Sequence, residues 1–351
     1  MILHSAGFSH GKLLTGIIEN VPSGVRVDED FLRRALFLRR GGEERSQRQR
    51  VETDEFEIFS GVFDGKTTGA NVGFGIKNLC PSTFDGSKTE VRPGHADYAG
   101  SVKYGIYPFV VAESASARIT AAYSLAGALA ETFLNDLGVR VYAFVNEVGA
   151  VKAENFSEED MLSACEKPLY MPVNGENAME KVKLCSLLND TLGGIFSVVV
   201  KGLKPGFGSY NSSRLSATLA YACMSVPSVK GFEVGEGFGF RRLTGSESFD
   251  AFTECGRRSN HAGGIEGGIS NGEDIVIRCV VKPVPTCSTN KVYDLLSKCE
   301  AGPSSMRADV CVVPSAAMVA KALVSLALSE EVQKRLGSDR FDDISSRYSL
   351  L

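Results

Sequence analysis

The chain has 351 residues, with 38 Lys and Arg against 42 Asp and Glu, a formal net charge of −4 with His neutral. A composition that is 43% hydrophobic and 23% charged excludes a disordered or fibrous chain and leaves room for one large domain or two ordinary ones. The slight acidic balance excludes a general nucleic-acid binder, which needs a basic surplus to displace counterions, and it sets off seven Arg packed into Arg33–Arg50.

In chain order, Met1–Leu14 lacks a charged stretch followed by an apolar one, so no secretory signal is expected. Asp28–Phe37 opens with acidic residues and puts Phe31, Leu32, Ala35 and Leu36 on one face, which predicts a helix. Residues 60–78 alternate apolar and polar positions around a DGKTTG turn, the period of a strand hairpin. Ser116–Asn135 is rich in Ala and Leu, a helix expected to be buried on most sides. Residues 193–208 and 267–283 repeat the turn-and-strand grammar from a Gly-Gly-Ile start, a likeness too weak to establish duplication. Leu215–Met224 and Ser315–Leu336 are further helices. The apolar stretch of the latter, 316–328, contains Lys321 and falls short of the ~18–20 residues that span a bilayer.

With 37 Gly spread along the chain and no linker-like tract, one domain over residues 1–351 is expected. Hairpins alternating with buried helices predict an α+β fold in which sheets cover central helices. A doubly wound α/β sheet would need a glycine fingerprint leading from strand to helix. Residues 235–239 (GEGFG) have the glycines without the helix pattern. The nine Cys (80, 165, 185, 223, 255, 279, 287, 299 and 311) form no CxxC pair and read as reduced cytosolic thiols, mostly core filler.

Three of the four His stand in Gly-flanked polar segments, at His10, His95 and His261. Each is a candidate acid or base, or a loop residue that caps a carbonyl. None has a carboxylate or Cys at ligand spacing, so no metal is expected. Among the arginines, Arg33 and Arg34 read as a solvated helix face. Arg39, Arg40, Arg45, Arg48 and Arg50 lead into or lie in a loop without apolar periodicity, suited to a polyanionic small ligand or balanced by Glu43 and Glu44. Ser114, Ser116, Arg118 and Thr120 precede or open a helix, either an anion site or an ordinary cap. Lys282-Pro283 leads from a strand into a Thr- and Ser-rich turn that suits phosphate equally with a plain turn.

Longer segments carry a resemblance. RPGHADYAGSVKYG (92–105) and SNHAGGIEGGISNG (259–272) stand ungapped and in order with SHG (9–11), RQRVETDEFEIFSGVFDGKTTGA (48–70), SASARIT (114–120), VKGFEVGEGF (229–238), GSESFD (245–250), VKP (281–283) and RADVCVVP (307–314). From about Ser9 to about Leu328 the chain resembles the chorismate synthase family. The resemblance implies a β-α-β sandwich, with central helices between antiparallel sheets, assembled as a cytoplasmic homotetramer. It implies loss of phosphate from 5-enolpyruvylshikimate 3-phosphate by anti-1,4-elimination to give chorismate. Reduced FMN is required without net redox change, and NADPH is a candidate reductant of the flavin.

By the same resemblance, His10 protonates the departing phosphate, His95 steadies the reduced flavin, and Asp309 assists proton removal. Substrate contacts are implied for Ser9, Arg39, Arg45, Arg48, Arg118 and Arg307. FMN contacts are implied for Ser114, Ala115, Ser116, Pro227, Ser228, Gly267, Lys282, Pro283, Val284, Pro285, Thr286 and Arg307, with Lys282 on the FMN phosphate. The chain also departs from the family pattern. GESHG reads Gly7-Phe8-Ser9-His10-Gly11, GGRSSARET reads 112–120 with Ser114 for Arg and Ile119 for Glu, RRPG loses its Pro at Gly41, and RHDPC loses its His at Ala308. The losses around Ser114 and Ile119 motivate one alternative, a non-catalytic flavin- or anion-binding paralogue; a flavin reductase alone is another.

Overall fold

A computed structural model describes residues 1–41, 53–79, 81, 86–254, 256–287, 289–303 and 309–351. Two antiparallel sheets are its main β elements. The first comprises β1 (Ile2–Ala6), β2 (Leu13–Glu19), β3 (Phe56–Ser60) and β4 (Val72–Lys77), in the order β1-β2-β4-β3. The second comprises β5 (Arg140–Val148), β6 (Val151–Lys152), β7 (Gly194–Lys201), β8 (Val229–Val234) and β9 (Ile275–Val281), in the order β8-β9-β7-β5-β6. Strand β2, which the sequence reading did not place, alternates in the manner of a half-buried strand: Leu14 and Ile18 point inward while Leu13 and Ile17 are exposed. Central strand β7 reads instead as a nearly continuous β-branched run, because both of its faces are covered.

Between the sheets lie α4 (Thr120–Asp136) and α7 (Val313–Leu336), with α1 (Glu29–Arg39) packed against both. Helix α4 contacts β1, β2 and β5, and α7 contacts β5 and β7, so the two helices bridge the sheets. The expected sandwich of central helices is therefore what the chain forms. Fourteen of the seventeen residues of α4 are buried, which is why its sequence carries almost no polar face. Gly127 sets the approach of the two helices, since a Cβ there would lie 2.4 Å from Ala322 Cβ.

Helix α7 is longer than the sequence reading gave, starting at Val313 rather than Ser315. Length and composition alone would let it cross a membrane, but 78% of its most apolar window is buried inside the fold. Its Lys321 meets Glu131 of α4 at 2.8 Å across the helix interface. The main cluster of buried apolar side chains draws on residues from Met1 to Tyr348, and its helical wall is completed by α6 (Leu215–Met224) and α8 (Phe341–Ser349).

Two short helices not foreseen in the sequence, α2 (Asp97–Tyr104) and α3 (Pro108–Ser114), connect the first sheet to α4. A third, α5 (Gly175–Leu187), lies on the approach to β7. Cys185, Cys223, Cys279 and Cys311 are buried, Cys165 and Cys287 are half-buried, and Cys299 is exposed.

Candidate active site

His10 lies in the connection between β1 and β2, beside the buried Ser9. This loop is fastened from two directions. Asn78, directly after β4, donates its amide to Ser9 O at 3.3 Å and to Gly11 O at 2.5 Å. From the other side, Glu113 in the last turn of α3 accepts the His10 backbone N–H at 2.8 Å, and its second oxygen lies 2.6 Å from His10 Nδ1. The Ser9 N–H donates to Glu113 O at 3.2 Å, and Ser116 Oγ donates to Ser9 Oγ at 3.0 Å.

The same network reaches two arginines. Arg118 donates from Nε to Asn78 Oδ1 at 2.6 Å and from Nη1 to Asp54. Arg39, in the last turn of α1, donates from Nη2 to the other Asp54 oxygen at 2.6 Å and from Nη1 to Thr120 Oγ1 at 3.3 Å. The Asp54 side chain is fully buried. Burial alone would raise its proton affinity, but the two guanidinium groups outweigh that and hold its carboxyl below the usual carboxylate range. Two cations thus share one anion beside the His10 loop, while Glu113 brings a second carboxylate to His10 itself.

A second cluster forms around His95, which precedes α2. His95 Nε2 lies 2.8 Å from Thr286 Oγ1, and Lys282 Nζ donates to Gly94 O at 2.8 Å. Gly94 has a left-handed φ of 77°, and a Cβ there would lie 2.7 Å from Pro285, so only glycine brings the two loops this close. Arg92 forks onto Asp97 through Nε at 2.7 Å and Nη2 at 2.9 Å, closing the turn that presents His95. Burial, then the neighbouring Arg92 and Lys282, lower the proton affinity of His95 against the opposing pull of Asp97.

Comparison with known proteins fits this geometry. The chorismate synthase sequence profile matches residues 1–332. Chorismate synthase of Carboxydothermus hydrogenoformans is 38% identical over 370 aligned positions, covering 98% of this chain and 96% of its own. That of Archaeoglobus fulgidus is 39% identical over 338 positions, covering 92% and 93%. A crystal structure of chorismate synthase superposes with a TM-score of 0.81 at 29% identity, covering 99% of this chain and 96% of that one. The chain belongs to the chorismate synthase family. It is accordingly a lyase.

Set against the residues that the family resemblance nominated, the structure gathers Ser9, His10, Arg39, Ser116 and Arg118 into the first cluster. It gathers His95, Lys282, Pro285 and Thr286 into the second. Ser228 joins the latter through its carbonyl, which accepts the Lys282 N–H at 3.0 Å, and Val284 O accepts from Thr191 at 2.6 Å. Pro227 and Pro283 flank these contacts in the chain. Ser114 precedes α4 from the end of a helix of its own: it closes α3, exposed, with its hydroxyl donating to Val110 O at 2.9 Å, and Ala115 follows as the C-cap. Gly267 stands at a hairpin tip with φ of 59° and open space around it. Asp309 is half-buried shortly before α7. Arg45, Arg48 and Arg307 lie outside the described residues.

His261 belongs to neither cluster. Its backbone N–H at 2.7 Å and that of Ala262 at 2.9 Å go to Asp250, which also accepts from Ser259 at 2.6 Å. It is a loop histidine held by a buried carboxylate. Asp54, Asn78 and Glu113 were missed in the sequence. Asn78, a polar residue closing an apolar strand, was the one local signal available.

The donor set of the second cluster suits a phosphate-bearing flavin. Lysine has three N–H donors, of which the Gly94 carbonyl takes one, and the Thr286 hydroxyl and His95 imidazole stand beside it. The first cluster suits a different task, because it joins fixed positive charge to a histidine whose ring is held by a carboxylate.

Proposed function

We propose that the His10 cluster is where the chain performs the family reaction, the anti-1,4-elimination of phosphate from 5-enolpyruvylshikimate 3-phosphate to give chorismate. The observation that carries this placement is the tie between His10 and Glu113 beside the Asp54–Arg39–Arg118 trio. The substrate brings two carboxylates and a phosphate. Arg39 and Arg118 supply the field for such a trianion, and Arg45, Arg48 and Arg307 are proposed to complete it. Fixed charge in a site of low dielectric needs no reorganisation as the leaving group gains charge.

His10 donates a proton to a phosphate oxygen as the C–O bond breaks and regains one from solvent. Asp309 assists the removal of the ring proton. Lys282 and Thr286 hold the phosphate of FMN, with Ser114 to Ser116, Pro227, Ser228, Gly267 and the stretch from Pro283 to Pro285 around the remainder. His95 orients against the ring. When bound, reduced FMN supplies the transient electron that the family chemistry uses, with no net redox change. NADPH is proposed as its reductant. The working unit is proposed as a cytoplasmic homotetramer of single-domain chains.

The test is chorismate formation under anaerobic conditions with chemically reduced FMN. Product is expected with FMN and substrate together. Absence of product at saturating flavin would overturn the proposal, and tight FMN binding without turnover would leave a binding paralogue in its place.

A further inference from the structure

Glu113 touches His10 twice, once through each carboxylate oxygen. One oxygen accepts the backbone N–H at 2.8 Å and the other lies 2.6 Å from ring Nδ1. A carboxylate can only accept, so a contact this short places a hydrogen on Nδ1. The Glu113 side chain is 16% exposed and that of His10 30%, so water competes weakly for the bond. The two residues are 103 positions apart in the chain, so their meeting is a product of the fold and not of a local turn.

The loop does not need this ring contact to hold its shape. Asn78 already clasps it through Ser9 O and Gly11 O, and the Ser9 N–H is fixed to Glu113 O. What the Nδ1 contact adds is a single tautomer and a single ring orientation. The position is also a poor one for an acid by local rules: Glu113 sits in the last turn of α3, where the exposed carbonyls disfavour negative charge. A carboxylate placed against that preference, and aimed at the one ring assigned to proton transfer, has a use beyond capping.

We infer that Glu113 is the positioning residue of His10: it holds the imidazole with hydrogen on Nδ1 and so directs proton exchange through Nε2. This rests on the reading of His10 as the acid of the elimination. Protonated His10 gives up its Nε2 proton to the leaving phosphate and is left as the neutral Nδ1–H form that Glu113 already binds. No further rearrangement of the ring is needed before the next turnover.

The experiment compares Glu113→Gln, Glu113→Ala and His10→Ala, alone and combined. Glutamine has one acceptor oxygen where Glu113 uses two, so Glu113→Gln cannot keep both bonds. The expected result is a 10–100-fold fall in kcat for Glu113→Gln and Glu113→Ala, the usual reach of a residue that orients a functional group, with KM within about twofold. In nitrogen-15 spectra of histidine-labelled protein, His10 is expected as the Nδ1–H tautomer, and as a mixture in Glu113→Ala. The double variant His10→Ala/Glu113→Gln should be no slower than His10→Ala, because Glu113 acts through the ring. A wild-type His10 in the Nε2–H tautomer overturns the inference, as does full kcat in both Glu113 variants while His10→Ala is inactive. A fully active His10→Ala overturns the reading of His10 instead. If kcat and thermal stability fall together with the tautomer unchanged, Glu113 is a structural tie only.

Discussion

At the scale of single residues, the two histidines differ in the company they keep, and the difference is testable. Replacing either His10 or His95 by Ala is expected to lower turnover by about 10²–10⁴, the range of positioned proton-handling groups; steady-state rates under anaerobic conditions decide it. His95 also has a signature of its own. Burial, Arg92 and Lys282 lower its proton affinity, so below the ordinary histidine value of ~6.5 the unfolded chain binds a proton that the folded chain refuses. Stability must therefore fall as pH drops through that window. His95→Gln should flatten this dependence in urea titrations at pH 7.5 and 6, and an equally steep slope would count against it. Asp54 behaves with the opposite sign of charge. Its proton affinity is lowered by Arg39 and Arg118, so its stabilisation is present above the ordinary value of ~3.9 and is lost as pH falls through the depressed one. Asp54→Ala removes the carboxylate that two buried guanidinium groups share and is expected to cost about 3–5 kcal/mol at pH 7, measured as a shift in unfolding midpoint that narrows in strong acid.

At the scale of elements, what was legible in the sequence follows the length of the periodic signal. Leu215–Met224 was read to both ends. The helix predicted over Asp28–Phe37 runs Glu29–Arg39 with Asp28 as its N-cap, accepting from Phe31 N at 3.1 Å. Helices α2 and α3 escaped because Gly105 and Pro108 cut the segment into pieces too short to show a 3.6-residue period. The site was legible in the same uneven way. A Gly-flanked histidine is visible locally, but Glu113 owes its role to a partner 103 residues distant in the chain, and Asp54 joins Arg39, 15 residues away, to Arg118, 64 residues away, so no short window of sequence contains either constellation. The departures from the family pattern read as losses in the sequence: Phe8 where GESHG has Glu, Ser114 where GGRSSARET has Arg. The fold changes the first of these, since Glu113, at a glycine of the same family motif, brings a carboxylate to His10 from another element. Packing between α4 and α7 carries its own prediction. Glu131 and Lys321 pair at 2.8 Å with 10% and 21% of their side chains exposed. Glu131→Ala leaves a largely buried ammonium and should destabilise by about 3–5 kcal/mol, while Glu131→Leu with Lys321→Met should recover most of that loss. Calorimetric midpoints of the three proteins decide between an interaction that specifies helix pairing and one that is replaceable by apolar contact.

At the scale of the whole molecule, net charge is a poor guide to what the chain binds. A formal charge of −4 should repel a trianionic substrate at long range, and in the site corner Arg39 and Arg118 stand against the carboxylates of Asp54 and Glu113. Attraction can therefore come only from nearby groups, within the reach of a Debye length. That length is about 10 Å at 0.1 M salt and about 3 Å at 1 M. If the Arg39–Arg118 corner and the arginines that follow Arg39 in the sequence recruit the substrate, raising salt over that range should raise KM several-fold and leave kcat little changed, because the proton-transfer contacts are short and shielded from ions. Arg45→Ala should raise KM at low salt and weaken its salt dependence, since one charge fewer remains to be screened. Initial rates over a salt series for both proteins test the argument. A KM indifferent to salt in the wild-type chain, or an Arg45→Ala variant with an unchanged KM, would mean that the substrate is held by shape and hydrogen bonds, and that the clustering of seven Arg within Arg33–Arg50 does not serve substrate capture.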